Sequence, residues 1–296
     1  LTYGGKTARC EARVRTAGVS DAYERERLRQ RALKLSFFRA ARDVTGVTPS
    51  WGALTGIRPA KLVRTMLEEG YTPARADREL RDVYCVSPAR RRLALESAQA
   101  GLRAKRDLKP NDISLYIGIP FCPSRCSYCS FVSCNLDRDR KMVQPYVDCL
   151  CKEVEEIRIQ ADKAGLKLCS IYIGGGTPTY LGAARLKTIL TAIRKRYRLS
   201  HDAEITVEAN PDSACDVKAL RTLHRAGVNR VSLGVQSADD ALLRRIGRIH
   251  TFDQVKQAAQ AIRKAGIRNL SMDLIYGLPG QTLDQWLDTL AEVLAL

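Results

Sequence analysis

The sequence predicts an α/β chain: a parallel sheet with crossover helices, preceded by a small helical region. Three observations carry this reading. From about residue 111 onward, short strand-like runs alternate five times with segments of helical period. The glycine-rich turns follow the C-terminal ends of those runs. The first 110 residues read as mainly helical and carry most of the charge excess. Five β/α units fit either an open doubly wound sheet or an incomplete barrel, and both bind ligands at strand C-terminal ends.

The elements follow in order. Residues 21–42 read as a long basic helix with Leu28, Leu33, Leu35 and Phe38 among its apolar positions. Helices are expected at 59–68 and 88–102. The charged stretch 103–112, with Lys109-Pro110, separates a basic N-terminal region, 1–110, from a core, 111–296. Strands are expected at 114–119, 170–173, 204–208, 230–233 and 269–275. Helices at 146–165, 184–197, 217–226, 252–265 and 283–296 follow them. In the first of these, Val147, Leu150, Val154 and Ile157 recur at three- and four-residue spacing, and Gly165 marks its end. Gly227 and Gly266 end two others in the same way.

Composition narrows the class. The chain has 296 residues, 45% of them apolar and 27% charged, which is globular usage. That length suits one α/β barrel or two medium domains. No apolar run approaches a membrane span, and no export signal opens the chain. It begins Leu1-Thr2-Tyr3 without an initiator Met, and its end at Leu296 falls inside a helical pattern, so it is expected to be a piece of a longer chain. The net charge is +17, with 24 basic and 12 acidic residues in 1–110. A basic region can serve an anionic ligand or nucleic acid, or be a solvated helical surface. Aromatics are 6% and do not interleave the arginines, which weighs against binding single-stranded nucleic acid. Ten cysteines without an export signal point to a reducing, cytoplasmic setting and a metal site rather than disulfides.

The strongest motif is Cys122-Pro-Ser-Arg-Cys126-Ser-Tyr-Cys129, directly after the first core strand. Three thiolates at this spacing can hold three irons of a cubane cluster and leave the fourth open to substrate. Structural zinc is the alternative, with Cys134 as a fourth ligand. No second C-x2-C pair exists, and His201, His224 and His250 are all distant in sequence.

With Tyr128 before its last cysteine, this loop resembles the signature of the radical S-adenosylmethionine (SAM) superfamily. The wider string Tyr116-Ile-Gly-Ile-Pro-Phe-Cys122 resembles that superfamily's oxygen-independent coproporphyrinogen III oxidase group. Four further blocks match the group in order: Gly174-Gly-Gly-Thr-Pro-Thr-Tyr-Leu181, Val207-Glu-Ala-Asn-Pro211, Arg230-Val-Ser-Leu-Gly-Val-Gln-Ser237 and Met272-Asp-Leu-Ile-Tyr-Gly-Leu-Pro-Gly-Gln281. The resemblance covers about 114–296, and Leu54-Thr-Gly-Ile-Arg-Pro59 resembles the extension of its HemZ-type branch.

The resemblance implies a partial (β/α)6 radical-SAM barrel, truncated at its C-terminus, behind the helical region. It implies a 4Fe-4S cluster on Cys122, Cys126 and Cys129, and SAM held by Tyr116, Tyr128, Gly175, Gly176, Thr177, Glu208, Gln236, Arg248 and Asp273. Amides of the glycine turn suit the ligand's carboxylate or ribose, and Glu208 suits its ammonium or ribose hydroxyls. The implied reaction cleaves SAM reductively to methionine and a 5′-deoxyadenosyl radical. The radical takes a hydrogen from a coproporphyrinogen III propionate, and loss of an electron and CO2 leaves a vinyl group. Two rounds give protoporphyrinogen IX, with flavodoxin or ferredoxin as electron donor.

Two departures bear on the substrate. The group's well-understood oxidases carry an extra cysteine where this chain has Phe131, and many members carry His where it has Gly118. A haem chaperone of the same family, a radical enzyme acting on RNA and a non-enzymatic zinc module are the alternatives.

Overall fold

The computed structural model describes residues 1–54 and 58–296, so Thr55, Gly56 and Ile57 of the Leu54–Pro59 block lie outside the described residues. The chain forms two compact units, Leu1–Lys109 and Pro110–Leu296.

The first unit opens with a short antiparallel pair, β1 (Thr2–Tyr3) and β2 (Lys6–Thr7). Helix α1 (Ala22–Thr45) starts where the Asp21 carboxylate accepts from the Tyr23 N–H, and stops at Gly46 with φ 71°. Helices α2 (Pro59–Glu68), α3 (Pro73–Asp82) and α4 (Pro88–Arg106) each begin with proline, which sets φ and lacks an N–H that would otherwise go unpaired there. Their apolar faces meet through Val63, Met66, Ala76, Leu80 and Ala94, with Leu35 of α1. Helix α3 escapes the periodicity reading because Ala76 and Leu80 alone form its buried face. Thr72, capping the Arg75 N–H before Pro73, is its local signal.

The second unit holds five parallel strands: β3 (Asp112–Ile119), then β6 (Lys167–Gly175), β7 (Leu199–Ala209), β8 (Arg230–Gln236) and β9 (Asn269–Leu274). Between β3 and β6 come β4 (Phe121–Cys122), β5 (Cys134–Asn135), α5 (Leu136–Asp139) and α6 (Val143–Lys163). Helices α7 (Ala183–Arg196), α8 (Val217–Arg225), α9 (Asp240–Arg245) and α10 (Phe252–Lys264) complete the crossovers, and α11 (Leu283–Leu294) follows β9. The strands lie side by side in chain order, β3-β6-β7-β8-β9. A doubly wound sheet reverses its order at a switch point, so the incomplete barrel is the reading that holds.

Strand alternation divides the sheet's faces. Ile117, Ile119, Ile171, Ile173, Val207, Val231 and Leu233 are buried with the helical side chains Leu150, Leu186, Ile189, Leu190, Leu220, Val255 and Ile262. Each fully buried aliphatic side chain contributes about 1.5–3 kcal/mol of transfer free energy. The opposite face carries polar and small residues in register: Tyr116 beside Tyr172, Gly118 beside Gly174, Glu208 beside Ser232 and Gly234 beside Asp273. Among the described residues, no helix is long and apolar enough to cross a membrane.

Candidate functional site

The cysteine loop runs from β4 to β5 and is closed at its neck. Phe121 pairs with Cys134 and Cys122 with Asn135 in a short parallel bridge. The Cys134 N–H donates to the Pro120 carbonyl at 2.6 Å. Asn135 donates to the Pro123 carbonyl and accepts the first amides of α5. Within the loop the Cys129 N–H reaches the Cys126 carbonyl at 3.0 Å, and the Ser127 N–H is held by Ile246 at the end of α9. Cys122, Cys126 and Cys129 are half-buried and line one cleft at the C-terminal ends of the strands. Burial pushes the Cys122 thiol up, while the Thr177 hydroxyl, 3.4 Å from its sulfur, acts in the other direction.

The glycine run forms the neighbouring wall. Gly175 has φ 110°, a conformation that favours glycine. A Cβ on Gly176 would lie 2.6 Å from the Phe121 carbonyl oxygen, and one on Gly174 2.8 Å from the Glu208 carboxylate. The turn's amides do not face a ligand as the sequence led us to expect. Gly175 N–H donates to Glu208, Gly176 N–H to Ile119 at 2.7 Å and Thr177 N–H to Phe121 at 2.9 Å. These bonds tie the turn to the root of the cysteine loop.

Glu208 ends β7 facing the cleft. It accepts from the Tyr172 hydroxyl at 2.7 Å and from Gly175 N–H at 3.1 Å, so its partners are a phenol and a peptide. Burial raises its pKa, against the effect of those two donors. Burial also pushes Tyr172 up to about 12, with the Glu208 hydrogen bond adding to it. Tyr116 stacks on Tyr172 at 6.0 Å, 60% exposed, and does not line the cleft. The other eleven expected residues line it together. Gln236 does so with φ 68°, left-handed backbone at a non-glycine. Asp273 accepts from the Ser232 hydroxyl at 3.0 Å.

Arg248 is half-buried rather than a surface charge. It donates through Nη2 to Asn210 Oδ1 at 2.9 Å and to the Gly234 carbonyl, and through Nη1 to the Cys126 sulfur at 3.6 Å. Its Nε is buried with no partner among the described residues. Period-two alternation was the available signal for Tyr172, Asn210 and Ser232, which lie two residues from Gly174, Glu208 and Gly234.

Next to Arg248 stands a buried imidazole. His250 donates Nε2–H to the Val235 carbonyl at 3.2 Å, as a neutral ring. Burial, with the Arg248 cation, lowers its pKa from 6.5 to about 4. The unfolded chain therefore binds more protons than the folded one over this range. The stability this provides is complete above pH 6.5 and is lost as pH falls toward 4, about 3 kcal/mol in all. Thermal unfolding followed from pH 7 to 4.5 is expected to show that slope, and His250→Gln to flatten it.

The donors fit a metal cluster with a small anionic ligand. Three soft thiols share one wall, an orphan guanidinium N–H needs an acceptor, and close packing keeps the glycine wall free of side chains. Among the described residues no three His, Cys, Asp or Glu side chains converge to hold a single ion. The Radical SAM superfamily model matches residues 116–293. The chain belongs to the radical SAM superfamily. Members of this superfamily bind a 4Fe-4S cluster and SAM.

Within it the chain is HemN-like. It is 34% identical over 252 residues to the oxygen-independent coproporphyrinogen-III oxidase-like protein HemZ of Bacillus subtilis, covering 84% of this chain and 50% of that one. That match is longer than the second unit and so reaches into the first. It is 43% identical over 176 residues to the heme chaperone HemW of Lactococcus lactis, covering 60% of this chain and 44% of that one. Coproporphyrinogen III oxidase (HemN) from Escherichia coli, a radical SAM enzyme, aligns at 31% identity and TM-score 0.57, over 66% of this chain and 44% of its own. The chain spans about half the length of the curated relatives it matches.

Proposed function

We propose that this chain is the catalytic core of an oxygen-independent coproporphyrinogen III oxidase, converting two propionates to vinyls to give protoporphyrinogen IX. The observation that carries the reading is a single cleft shared by three half-buried thiols, the unsatisfied Arg248 and the strand-end Glu208. The likeness to HemN supports the substrate class.

When bound, the reduced cluster and SAM supply hydrogen-atom abstraction from an unactivated C–H bond. Cys122, Cys126 and Cys129 would hold the cluster and leave one iron to the ligand. Arg248, which lines the cleft, would set its guanidinium charge beside the ligand's carboxylate. Glu208 would accept from an ammonium or hydroxyl; arrival of a cation there favours its ionised form, against the burial that raises its pKa. Tyr128, Gln236 and Asp273 would border the same ligand, with Gly175, Gly176 and Thr177 as its wall. Tyr116 would contact it only beyond the cleft lining. The electron would come from a low-potential donor such as flavodoxin or ferredoxin.

A second reading is a heme chaperone, which binds haem without transforming it. Phe131, at the position of the oxidases' extra cysteine, and the likeness to HemW favour it. The two are separated by anaerobic incubation of the reconstituted protein with SAM, dithionite and coproporphyrinogen III. The oxidase reading expects 5′-deoxyadenosine and protoporphyrinogen IX. Deoxyadenosine with no porphyrin product, together with stoichiometric haem binding, would overturn it in favour of the chaperone.

A further inference from the structure

We propose that Asn210 is a positioning residue that holds the Arg248 guanidinium against the Cys126 sulfur, and thereby raises the reduction potential of the cluster bound there. The inference rests on the reading that Cys126 is a cluster ligand.

Asn210 leaves the end of β7 in extended backbone, φ −95° and ψ 149°, and its position is fixed from behind. The 3-10 turn Pro211–Ser213 folds back so that the Ser213 N–H and hydroxyl both donate to the Asn210 carbonyl, at 3.1 and 2.9 Å. Ser213 bonds Thr179 at 2.6 Å, and Tyr180 donates to Asp212. The turn is thus clamped to the segment after the glycine wall. From this fixed point the Asn210 side-chain oxygen takes one Arg248 N–H, the Gly234 carbonyl takes a share of the same nitrogen, and Nη1 is aimed at Cys126. A Cβ on Gly234 would lie 3.0 Å from Arg248 Nη2, so this close approach also depends on glycine.

The chemistry of the two oxygen acceptors matters. Both are neutral amides, so neither cancels the guanidinium charge. A carboxylate at 210 would hold the same geometry and neutralise it. Reduction adds negative charge to a cluster and its sulfurs. A cationic N–H donor to a ligand sulfur therefore favours the reduced state and makes the potential less negative.

The test uses the full chain, anaerobically reconstituted with ferrous iron and sulfide and titrated by EPR without SAM, so that only the protein's own contacts act on the cluster. Asn210→Ala, which frees the guanidinium, and Asn210→Asp, which neutralises it in place, are both expected to shift the midpoint negative. The expected shift is about tenfold in the reduction equilibrium constant, ~59 mV for a one-electron couple. Arg248→Ala is expected to shift it at least as far, and the Asn210→Ala/Arg248→Ala double variant no further than Arg248→Ala alone. A parental midpoint in Asn210→Asp, the near-isosteric variant whose folding and iron content serve as the check, overturns the inference. Additive shifts in the double variant overturn it as well. A parent protein that assembles no 4Fe-4S signal overturns the proposed function itself, and the inference with it.

Discussion

Cys122→Ala is expected to leave the anaerobically reconstituted protein colourless, without cluster iron or sulfide, and unable to form 5′-deoxyadenosine. On the proposed assignment of three protein thiolates to four irons, removal of one would leave the cluster on two thiolates of a single loop. Changing an outer partner of a metal ligand already costs roughly 10–100-fold in affinity, and losing the ligand itself goes beyond that. Cys126→Ala and Cys129→Ala are expected to behave alike. Cys134→Ala provides the contrast. Cys134 serves the loop neck through its backbone, and its side chain packs against the core. That variant is therefore expected to keep its cluster. A brown, oxygen-sensitive chromophore retained in Cys122→Ala would show that the metal sits elsewhere.

The second large effect is expected from Gly176→Ala. Its added methyl would sit 2.6 Å from the Phe121 carbonyl oxygen and 2.9 Å from that of Ile119, both backbone atoms. The strands cannot rotate such atoms away, so the turn must move. The hydrogen bonds from Gly176 and Thr177 to those same carbonyls would lengthen with it. Overpacking of this kind costs about 1–3 kcal/mol, which for a domain of this size lowers Tm by roughly 2–4 °C per kcal/mol. The same shift displaces Thr177 from the Cys122 sulfur, so weaker cluster retention should accompany the lower Tm. Gly101→Ala, in open space within α4, is the control and should not lower Tm. Unchanged Tm and iron content in Gly176→Ala would refute the packing account of the glycine wall.

What the sequence made legible was local. The β/α alternation placed the five strands, because a buried face such as Ile171 and Ile173 repeats every two residues within one segment. Strand lengths were underread where polar residues extend the ladder: β7 begins at Leu199, and its early residues His201 and Asp202 are exposed. Helix α9 is six residues long, too short for a period to declare itself, yet its Leu242 and Leu243 build a small core with Ile246 and Leu278. In the site, the cysteine spacing and the glycine run could be read directly. The bond from Arg248 to Cys126 joins residues 122 positions apart, which no local pattern encodes. Tyr116 could be assigned to the right strand but not to its partner, since its stacking on Tyr172 depends on strand register. Strand order, which separated barrel from doubly wound sheet, is likewise a property of pairing between distant segments.

The bridge between Phe121–Cys122 and Cys134–Asn135 has a consequence for how this protein ages. A small zinc-finger domain collapses when its metal leaves, because the metal alone closes its chain. Here the backbone closes the loop, so much of the entropy of ordering it is met before any iron arrives. Oxygen damage should therefore bleach the protein without unravelling it, leaving a shaped, empty bay that fresh iron and sulfide can refill.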